Sequence, residues 1–503
     1  MMNHAIEKKY IWLKVQSLLV LLMFLAGCRS GPRALPIDPP YQAIDTAMKE
    51  AGDEEVFDVD GCLPGDWWTL FDDDQLSNFI QLAFARNPTL QAAHSNILLA
   101  IANANSVRSV LYPNIIWGGD VSRQKFSETG IIPFNTAGMA TIPLTPLAAP
   151  AGIGIPLYFT QYETELTLTY DFDIWNKNRN TWRAAISEVK ADIADEAFSR
   201  LQLGISVAQI YFQLQIEYER QEIAQALVKN KTTYLELVNK RANANLDNLL
   251  TVRTAENSLA QAEQALLQIQ GSIAVDEIQL RTYLAGDFEE QILPICIIKQ
   301  PLPKVPLPAD IPLNLVGHRP DIVAQLWLIE SAGRQIDVAR AGFYPDFNLT
   351  ALGGFQTIHL HELFLGKSSF FNIDPAFTLP IFDGGRLVAN LRGSEVNYDL
   401  AIFRYNDLIL NAAKEVLQGI AVLKNTVEQL EEFKKMVVYQ RELYQLMEQR
   451  VMHHLNSDLD SLTSEGNLLM ALDQQAIALR NTFTAILSLI KALGGGYDAC
   501  GYM

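Results

Sequence analysis

Two periods divide this chain. From 162 to 174 the residues alternate. Tyr162, Leu166, Leu168, Tyr170, Phe172 and Ile174 share one parity; Gln161, Glu163, Glu165, Thr167, Asp171 and Asp173 share the other. A period of two predicts a strand with one apolar and one acidic face. Partner strands are expected at 114–122, 347–357 and 371–381. Elsewhere the period is helical. Leu76, Phe79, Ile80 and Ala83 predict a short helix over 74–86. Asn87-Pro88 ends it, because the residue before a proline avoids the helical region. A second helix is expected over 89–110. The stretches 182–244 and 386–454 contain no proline, so each predicts a helix on the order of 90–100 Å long. The returning helices carry heptads. Ala255, Leu259, Ala262, Leu266, Ile269 and Ile273 step by four and three, as do Leu469, Leu472, Ala476, Leu479, Phe483, Ile486, Ile490 and Leu493. Such stepping is the signature of coiled-coil seams.

The whole pattern occurs twice. Asn87-Pro88 and Tyr112-Pro113 recur as Arg319-Pro320 and Tyr344-Pro345, a constant offset (320 − 88 = 232). Phe172-Asp173 recurs as Phe382-Asp383, Arg241 as Arg450 (450 − 241 = 209), and Ala255-Glu256 as Ser464-Glu465. A repeat of this size is an architecture. It divides the chain into a signal peptide (1–27), an arm (28–73), a first repeat (74–285), a linker (286–318), a second repeat (319–494) and a tail (495–503). The first repeat holds a strand pair at about 111–174 and a helical hairpin at about 181–284; the second holds them at about 343–383 and 386–494. The fold class is mainly α with a membrane-type β part, four strands per chain. Four strands cannot close a barrel, and lipid tolerates no open edge. If the strands cross a bilayer, the chain must oligomerise. The fall in offset from 232 to 210 lengthens the first strand loop, at 130–156, which is apolar for a surface segment. It would narrow an outer mouth, touch lipid head groups or pack on itself.

Composition narrows the function. Lys8, Lys9 and Lys14 precede an apolar run, and Leu25-Ala26-Gly27-Cys28 resembles the lipobox of bacterial lipoproteins, in which the cysteine carries the lipid. An ordinary signal peptide is the alternative. Beyond residue 27 no apolar run reaches the ~18 residues of a membrane helix. The formal charge of −18 argues against nucleic acid. Cys28, Cys62, Cys296 and Cys500 share no metal spacing. Cys62 and Cys296 are either bridged in an oxidising compartment or free buried thiols. His359 and His361 beside Glu362 form the one His-x-His, with no further ligand in context. No nucleophile elbow, P-loop or paired-carboxylate site is evident, so neither an enzyme nor a bound cofactor is expected, apart from the covalent lipid.

These landmarks resemble the TolC/OprM-like outer membrane efflux family, and its lipoprotein branch in particular. The residues that carry the resemblance include Leu25-Ala26-Gly27-Cys28, Trp67-Trp68 with Phe71, Asn87-Pro88-Thr89-Leu90, Arg319-Pro320-Asp321, Ala341-Gly342-Phe343-Tyr344-Pro345 and Pro380-Ile381-Phe382-Asp383-Gly384-Gly385-Arg386. The resemblance implies a homotrimer with a twelve-stranded barrel and a helical periplasmic tunnel, set in outer membrane lipid. It also implies a passive exit duct served by a periplasmic adaptor and an inner-membrane RND-type transporter. Multidrug efflux is the leading version, with metal-ion efflux or protein secretion through the same duct as the alternative. A coiled-coil surface lipoprotein without a pore is the rival outside the family.

The hairpin tips depart from the family pattern. Where relatives place glycine, this chain has Asn245 and His454. A helix-to-helix turn there needs positive φ, which Asn tolerates well and His less well. The resemblance assigns adaptor contact to the tips, here Arg241, Asn245, Leu246, His454 and Leu455. It places an inward-facing gate carboxylate at Asp460; the family's second position is Thr463 here, with Asp458 nearby. Both acids equally suit the first turn of a helix. Arg450 either pairs with a neighbouring helix to hold the tips shut or is a solvated surface arginine.

Overall fold

The computed structural model describes residues 34–36, 57–59, 63–125, 158–286, 302–307 and 318–497. The signal segment, the four cysteines and the 130–156 loop lie outside these residues. In chain order the elements are β1 (Phe57–Val59), α1 (Asp74–Arg86), α2 (Pro88–Ser109), β2 (Asn114–Lys125), β3 (Tyr158–Phe172), α3 (Lys177–Asn243), α4 (Leu249–Leu284), β4 (Val305–Leu307), α5 (Pro320–Ala341), β5 (Asp346–Thr357), β6 (Ser369–Thr378), α6 (Arg386–Met452) and α7 (Asp458–Ala492). The order of short helix, strand pair, long helix and returning helix occurs twice. Helices α3 and α6 are equal in length, 67 residues each, or about 100 Å. Among the described residues no helix is long and apolar enough to cross a membrane.

The chain forms two compact units. One comprises Ile101–Ile186 and Glu330–Tyr398 and contains the four-stranded sheet. The other draws on Ala34–Ala100, Ser187–Ile329 and Asp399–Met503 and is mainly helical. Each unit takes parts of both repeats.

The sheet is antiparallel in the order β2-β3-β5-β6. Its register carries single rows across all four strands. Trp117 lies opposite Leu166, Leu166 opposite Gly353, and Gly353 opposite Phe371. On the other face Asn114, Thr169, Thr350 and Asp374 form a polar row. The apolar face is bare, with Trp117 75% and Phe371 81% exposed. The Trp117 indole N–H donates to Thr164 Oγ1 (2.9 Å), so even this exposed face leaves no tryptophan donor unmet. Gly354 is needed for close approach. A Cβ there would strike the Thr164 carbonyl and the Glu165 backbone of β3.

Two strands end earlier than their alternation suggests. β3 stops at Phe172 and β6 at Thr378. Asp173 accepts instead from the backbone N–H groups of Asn178 (3.0 Å) and Arg179 (2.8 Å). Its repeat counterpart Asp383 accepts from Gly385 (3.0 Å) and Leu387 (2.9 Å). Those donors sit at the starts of α3 and α6, where N–H groups lack helical acceptors and negative charge is favoured. Capping thus removes each aspartate from the strand and starts α3 at Lys177, earlier than 182.

The helical unit is built around Trp67, Tyr211, Ile80, Ile322 and Ile409, all fully buried. Phe212 stacks on Phe483 at 4.4 Å. Asp73 caps α1 through the N–H groups of Gln75 and Leu76, and Tyr211 donates its hydroxyl to the same carboxylate (2.7 Å). The two proline motifs make one contact twice. Asn87 Nδ2 donates to the carbonyl of Tyr283 (3.0 Å), and Arg319 Nη1 donates to that of Ala492 (3.2 Å). Tyr283 and Ala492 are themselves repeat counterparts (492 − 283 = 209). Arg319 also pairs with Asp321 and with Glu415, each at 2.7 Å.

The heptads hold toward the end of α7, where Ile486 and Ile490 are fully buried, and small residues form a second buried row beside them. Ser464, Ala471, Ala478, Ala485 and Ala492 recur every seventh residue of α7 and are all buried, whereas Leu469, Leu472 and Leu479 are half-buried. Ala255, Ala262, Ile269 and Asp276 are the buried counterparts in α4. Small side chains let the backbones come close, and the leucines flank the seam. Asp276 breaks the apolar series. Gln213 Nε2 of α3 donates to it (2.7 Å), and burial pushes its carboxyl pKa up. Two turns on, Arg220 of α3 pairs with Asp473 of α7 (2.7 Å), and Arg480 approaches the buried Glu217 (3.7 Å).

Helix α7 ends in Gly494, Gly495 and Gly496, all in the left-handed region. A Cβ on Gly494 would meet the His318 carbonyl, on Gly495 the Leu201 side chain, and on Gly496 the Pro64 carbonyl. Three distant segments therefore close on one turn. Gly495→Ala adds both backbone strain and a clash, and should cost about 1–3 kcal/mol. The check is the apparent thermal midpoint of the purified protein, which should fall. An unchanged midpoint would show that the turn is not tightly held.

Candidate functional site at the hairpin tips

Each hairpin turns over a few residues, between Asn243 and Leu249 and between Met452 and Asp458. Asn245 has φ 59° and His454 has φ 57°. Around each, the chain makes the paired hydrogen bonds of a Schellman turn. Leu246 N–H donates to the Arg241 carbonyl (2.9 Å) and Asn245 N–H to that of Ala242 (3.0 Å). Leu455 N–H donates to the Arg450 carbonyl (2.8 Å) and His454 N–H to that of Val451 (2.9 Å). The positive φ expected from the sequence is therefore present at both non-glycine positions. Leu246 and Leu455, the residues just past the turn, are about two-thirds exposed (67% and 65%). Leu249, Leu250 and Met452 are exposed beside them.

Both arginines fold back over their own turns. Arg241 Nε donates to Asp247 Oδ2 (2.7 Å), and Arg450 Nε donates to Asn456 Oδ1 (2.6 Å). These partners are again repeat counterparts, but the first is an ion pair and the second is not. The following helices are capped differently too. Asn248 Oδ1 accepts from the Thr251 N–H (3.0 Å) at the start of α4. At the start of α7, Asp460 Oδ2 accepts from the Ser457 N–H (2.9 Å), the Ser457 hydroxyl (3.0 Å) and Asn456 Nδ2 (3.1 Å). Those donors, first the Ser457 backbone, hold the Asp460 carboxyl below its ordinary pKa, and the Arg241 guanidinium of the other tip adds to the effect. The chain Arg450, Asn456, Asp460 thus knits the second tip together.

Asp458 is placed differently. It lines a cleft of about 540 Å³ with Glu236 and Lys240 of α3 and with Glu448 and Met452 of α6. Thr463 donates its hydroxyl to the Leu459 carbonyl within its own helix (2.7 Å). His359 and His361 lie in and beside a short turn after β5 rather than along a strand face. Their rings meet edge to face at 5.9 Å, and Glu362 is engaged by Lys367 (2.6 Å). Sequence reasoning did not identify Asn456 and Asp247 as partners of the tip arginines. The available signal was the shared six-residue spacing (247 − 241 and 456 − 450).

The two acids can be told apart by experiment. A carboxylate with a lowered folded pKa stabilises above its ordinary pKa, and that contribution is lost as pH falls through the depressed value. Hydrogen exchange across 453–463 should accelerate roughly fivefold in Asp460→Asn at neutral pH, the scale of a lost helix cap. In the wild type the protection, taken relative to the intrinsic exchange rate at each pH, should fall only on acidification below the usual aspartate range. Asp458→Asn should leave exchange unchanged, so any change it makes in single-channel conductance reports on the pore and not on the fold of the tip. Equal exchange in both variants would contradict the capping assignment.

Comparison with known proteins places this geometry. The sequence profile of the outer membrane efflux protein family matches residues 79–286 and 312–495. The multidrug resistance outer membrane protein MdtP of Escherichia coli is 28% identical over 467 residues, which is 92% of each chain. The outer membrane protein VceC of Vibrio cholerae is 28% identical, with a TM-score of 0.72 over 87% of this chain and 100% of that one. The CmeC outer membrane channel of Campylobacter jejuni shares the fold at a TM-score of 0.78 over 89% of this chain and 90% of that one, with 24% identity. The chain belongs to the outer membrane efflux protein family.

Proposed function

We propose that three copies of this chain close a twelve-stranded barrel in the outer membrane and form the passive exit duct of a tripartite drug-efflux system. A periplasmic adaptor would dock at the tips, and an inner-membrane RND-type transporter would supply energy. The observation that carries this reading is the sheet: four strands, an exposed apolar face and, among the described residues, an unpaired edge on each side. A hydrocarbon environment requires every backbone group to be paired, so the edges of β2 and β6 must meet other strands. The opposite face carries Asp120, Glu163, Glu165, Asp171 and Asp374, which suits a water-filled lumen.

A lipid on Cys28 fits the same arrangement. Ala34 N–H donates to Asp399 Oδ1 (2.9 Å), and Asn406 Nδ2 donates to the Leu35 carbonyl (3.0 Å), so the arm is fastened along α6. The thirteen helical residues from Arg386 to Asp399 rise about 20 Å. The six residues from Cys28 to Ala34 can span as much. Asp458, Asp460 and Arg450 are proposed as gate residues. Asp460 and Arg450 act by holding the second tip in one conformation. Arg241, Asn245, Leu246, His454 and Leu455 are proposed to meet the adaptor, with Leu246 and Leu455 as exposed apolar anchors.

The reading is tested in a bacterial strain lacking its own exit ducts, supplied with this chain and its cognate pump and adaptor. Accumulation of a fluorescent pump substrate should fall. Leu246→Asp with Leu455→Asp should restore accumulation to the level of the strain without the duct, while the trimer stays intact on native gels. Full efflux in that double variant would remove the tips from adaptor docking. Cys28→Ser should release the protein from metabolic labelling with palmitate; persistent label would place the lipid elsewhere.

A further inference from the structure

Charge is sorted completely between the two faces of the sheet. All six of its acids, Asp120, Glu163, Glu165, Asp171, Asp346 and Asp374, lie on the polar face. Its two cations, Arg123 and Lys125, share the other parity with Ile115, Trp117 and Val121, and so lie on the bare apolar face. Both stand at the end of β2 farthest from the strand termini that lead into α2 and α3. Both are exposed. Directly opposite Lys125 is Tyr158, and the ammonium sits over its ring at 5.4 Å. Opposite Arg123 is Thr160.

Position along the strand gives these cations a meaning. On the apolar face of β3, aromatic residues mark two levels, Tyr158 and Tyr162 at one end and Tyr170 and Phe172 at the other. Ten residues separate Tyr162 from Phe172, about 34 Å along the strand. At a tilt of ~40° this gives about 25 Å across the membrane, the height of an apolar band between aromatic girdles. Arg123, opposite Thr160, and Lys125, opposite Tyr158, lie level with the outer girdle, at head-group level. Aromatic rings favour that level, and cations there meet phosphate. The guanidinium fork suits two phosphate oxygens, and the ammonium held over Tyr158 adds a point charge. Two residues along a strand put the cations about 7 Å apart.

We infer that Arg123 and Lys125, backed by Tyr158, form a binding site for the phosphates of an anionic lipid in the outer leaflet. This rests on the membrane-barrel reading above. It adds a ligand class to an outward face that otherwise has only generic lipid contact. Lysine and arginine that merely reach for the interface would show no preference for a particular head group.

The test uses the purified protein in nonionic detergent, with native mass spectrometry reading lipid adducts per oligomer. The probes are lipid A with two phosphates, its monophosphoryl counterpart and phosphatidylcholine. Lipid A should bind most tightly and phosphatidylcholine least. In R123S/K125S lipid A affinity should fall about thirtyfold, the scale of two cations at an anionic surface. R123K/K125R should keep most of it. Conductance in planar bilayers should be unchanged in both variants, which shows that the barrel is intact. Lipid A binding by R123S/K125S at wild-type strength would overturn the inference, as would full displacement of lipid A by inorganic phosphate, which would make the site one for free anions. Wild-type protein that forms no pore would overturn the barrel reading and this inference together. A conducting protein indifferent to lipid phosphates would overturn this inference alone.

Discussion

Unpaired backbone at a sheet edge is the constraint on which the rest of this structure depends. The described sheet ends at β2 on one side and β6 on the other, and neither edge has a partner among the described residues. In water such edges invite aggregation; in lipid they cost several kcal/mol for each unmet group. The apolar face is bare as well, with Trp117, Phe371, Ile373 and Phe377 all exposed. A single copy is therefore an incomplete object. Under the proposed function, closure by three copies would answer both problems at once, pairing the edges and turning the apolar face to lipid.

Duplication explains how one sequence can supply such a part. The two halves repeat the same local solutions with different residues. Asp173 and Asp383 cap the long helices, and Asn87 and Arg319 fasten each short helix to the end of its returning helix. The halves differ in several of their polar contacts. The Asn87 contact is neutral, whereas Arg319 adds ion pairs to Asp321 and Glu415. Asp276 stands in a seam whose counterpart is Ala485, and the tip partners are Asp247 in one hairpin and Asn456 in the other.

Much of this was legible in the residues. Strand alternation, the proline landmarks and the absence of proline over some 60 residues located every long element, because period and chain stiffness are local properties. Positive φ at Asn245 and His454 could be anticipated, since a tight turn between helices leaves little choice. The misreadings come from competition between local rules. Asp173 and Ile174 continue the alternation of β3, yet the acid is taken by the start of α3. Of the expected α7 seam, Ala476, Ile486, Ile490 and Leu493 are buried, but Leu469, Leu472 and Leu479 are only half-buried while Ala471, Ala478 and Ala485 are buried, because closest approach is decided by what fits between two backbones. The capping role of Asp460 was visible as a general tendency of acids in a first turn. Its three donors depend on the turn's geometry, which no spacing rule supplies.

The account's central claim is that the open sheet becomes a closed pore only in an assembly of three. The most direct measurement is conductance of the purified protein in planar lipid bilayers, on material whose stoichiometry is fixed beforehand by native mass spectrometry. Trimers that carry current, with monomers silent and with cations favoured over anions as the acidic inner face requires, are the predicted result. Trimers that carry no current under any applied potential, or monomers that conduct as well as trimers, would contradict it.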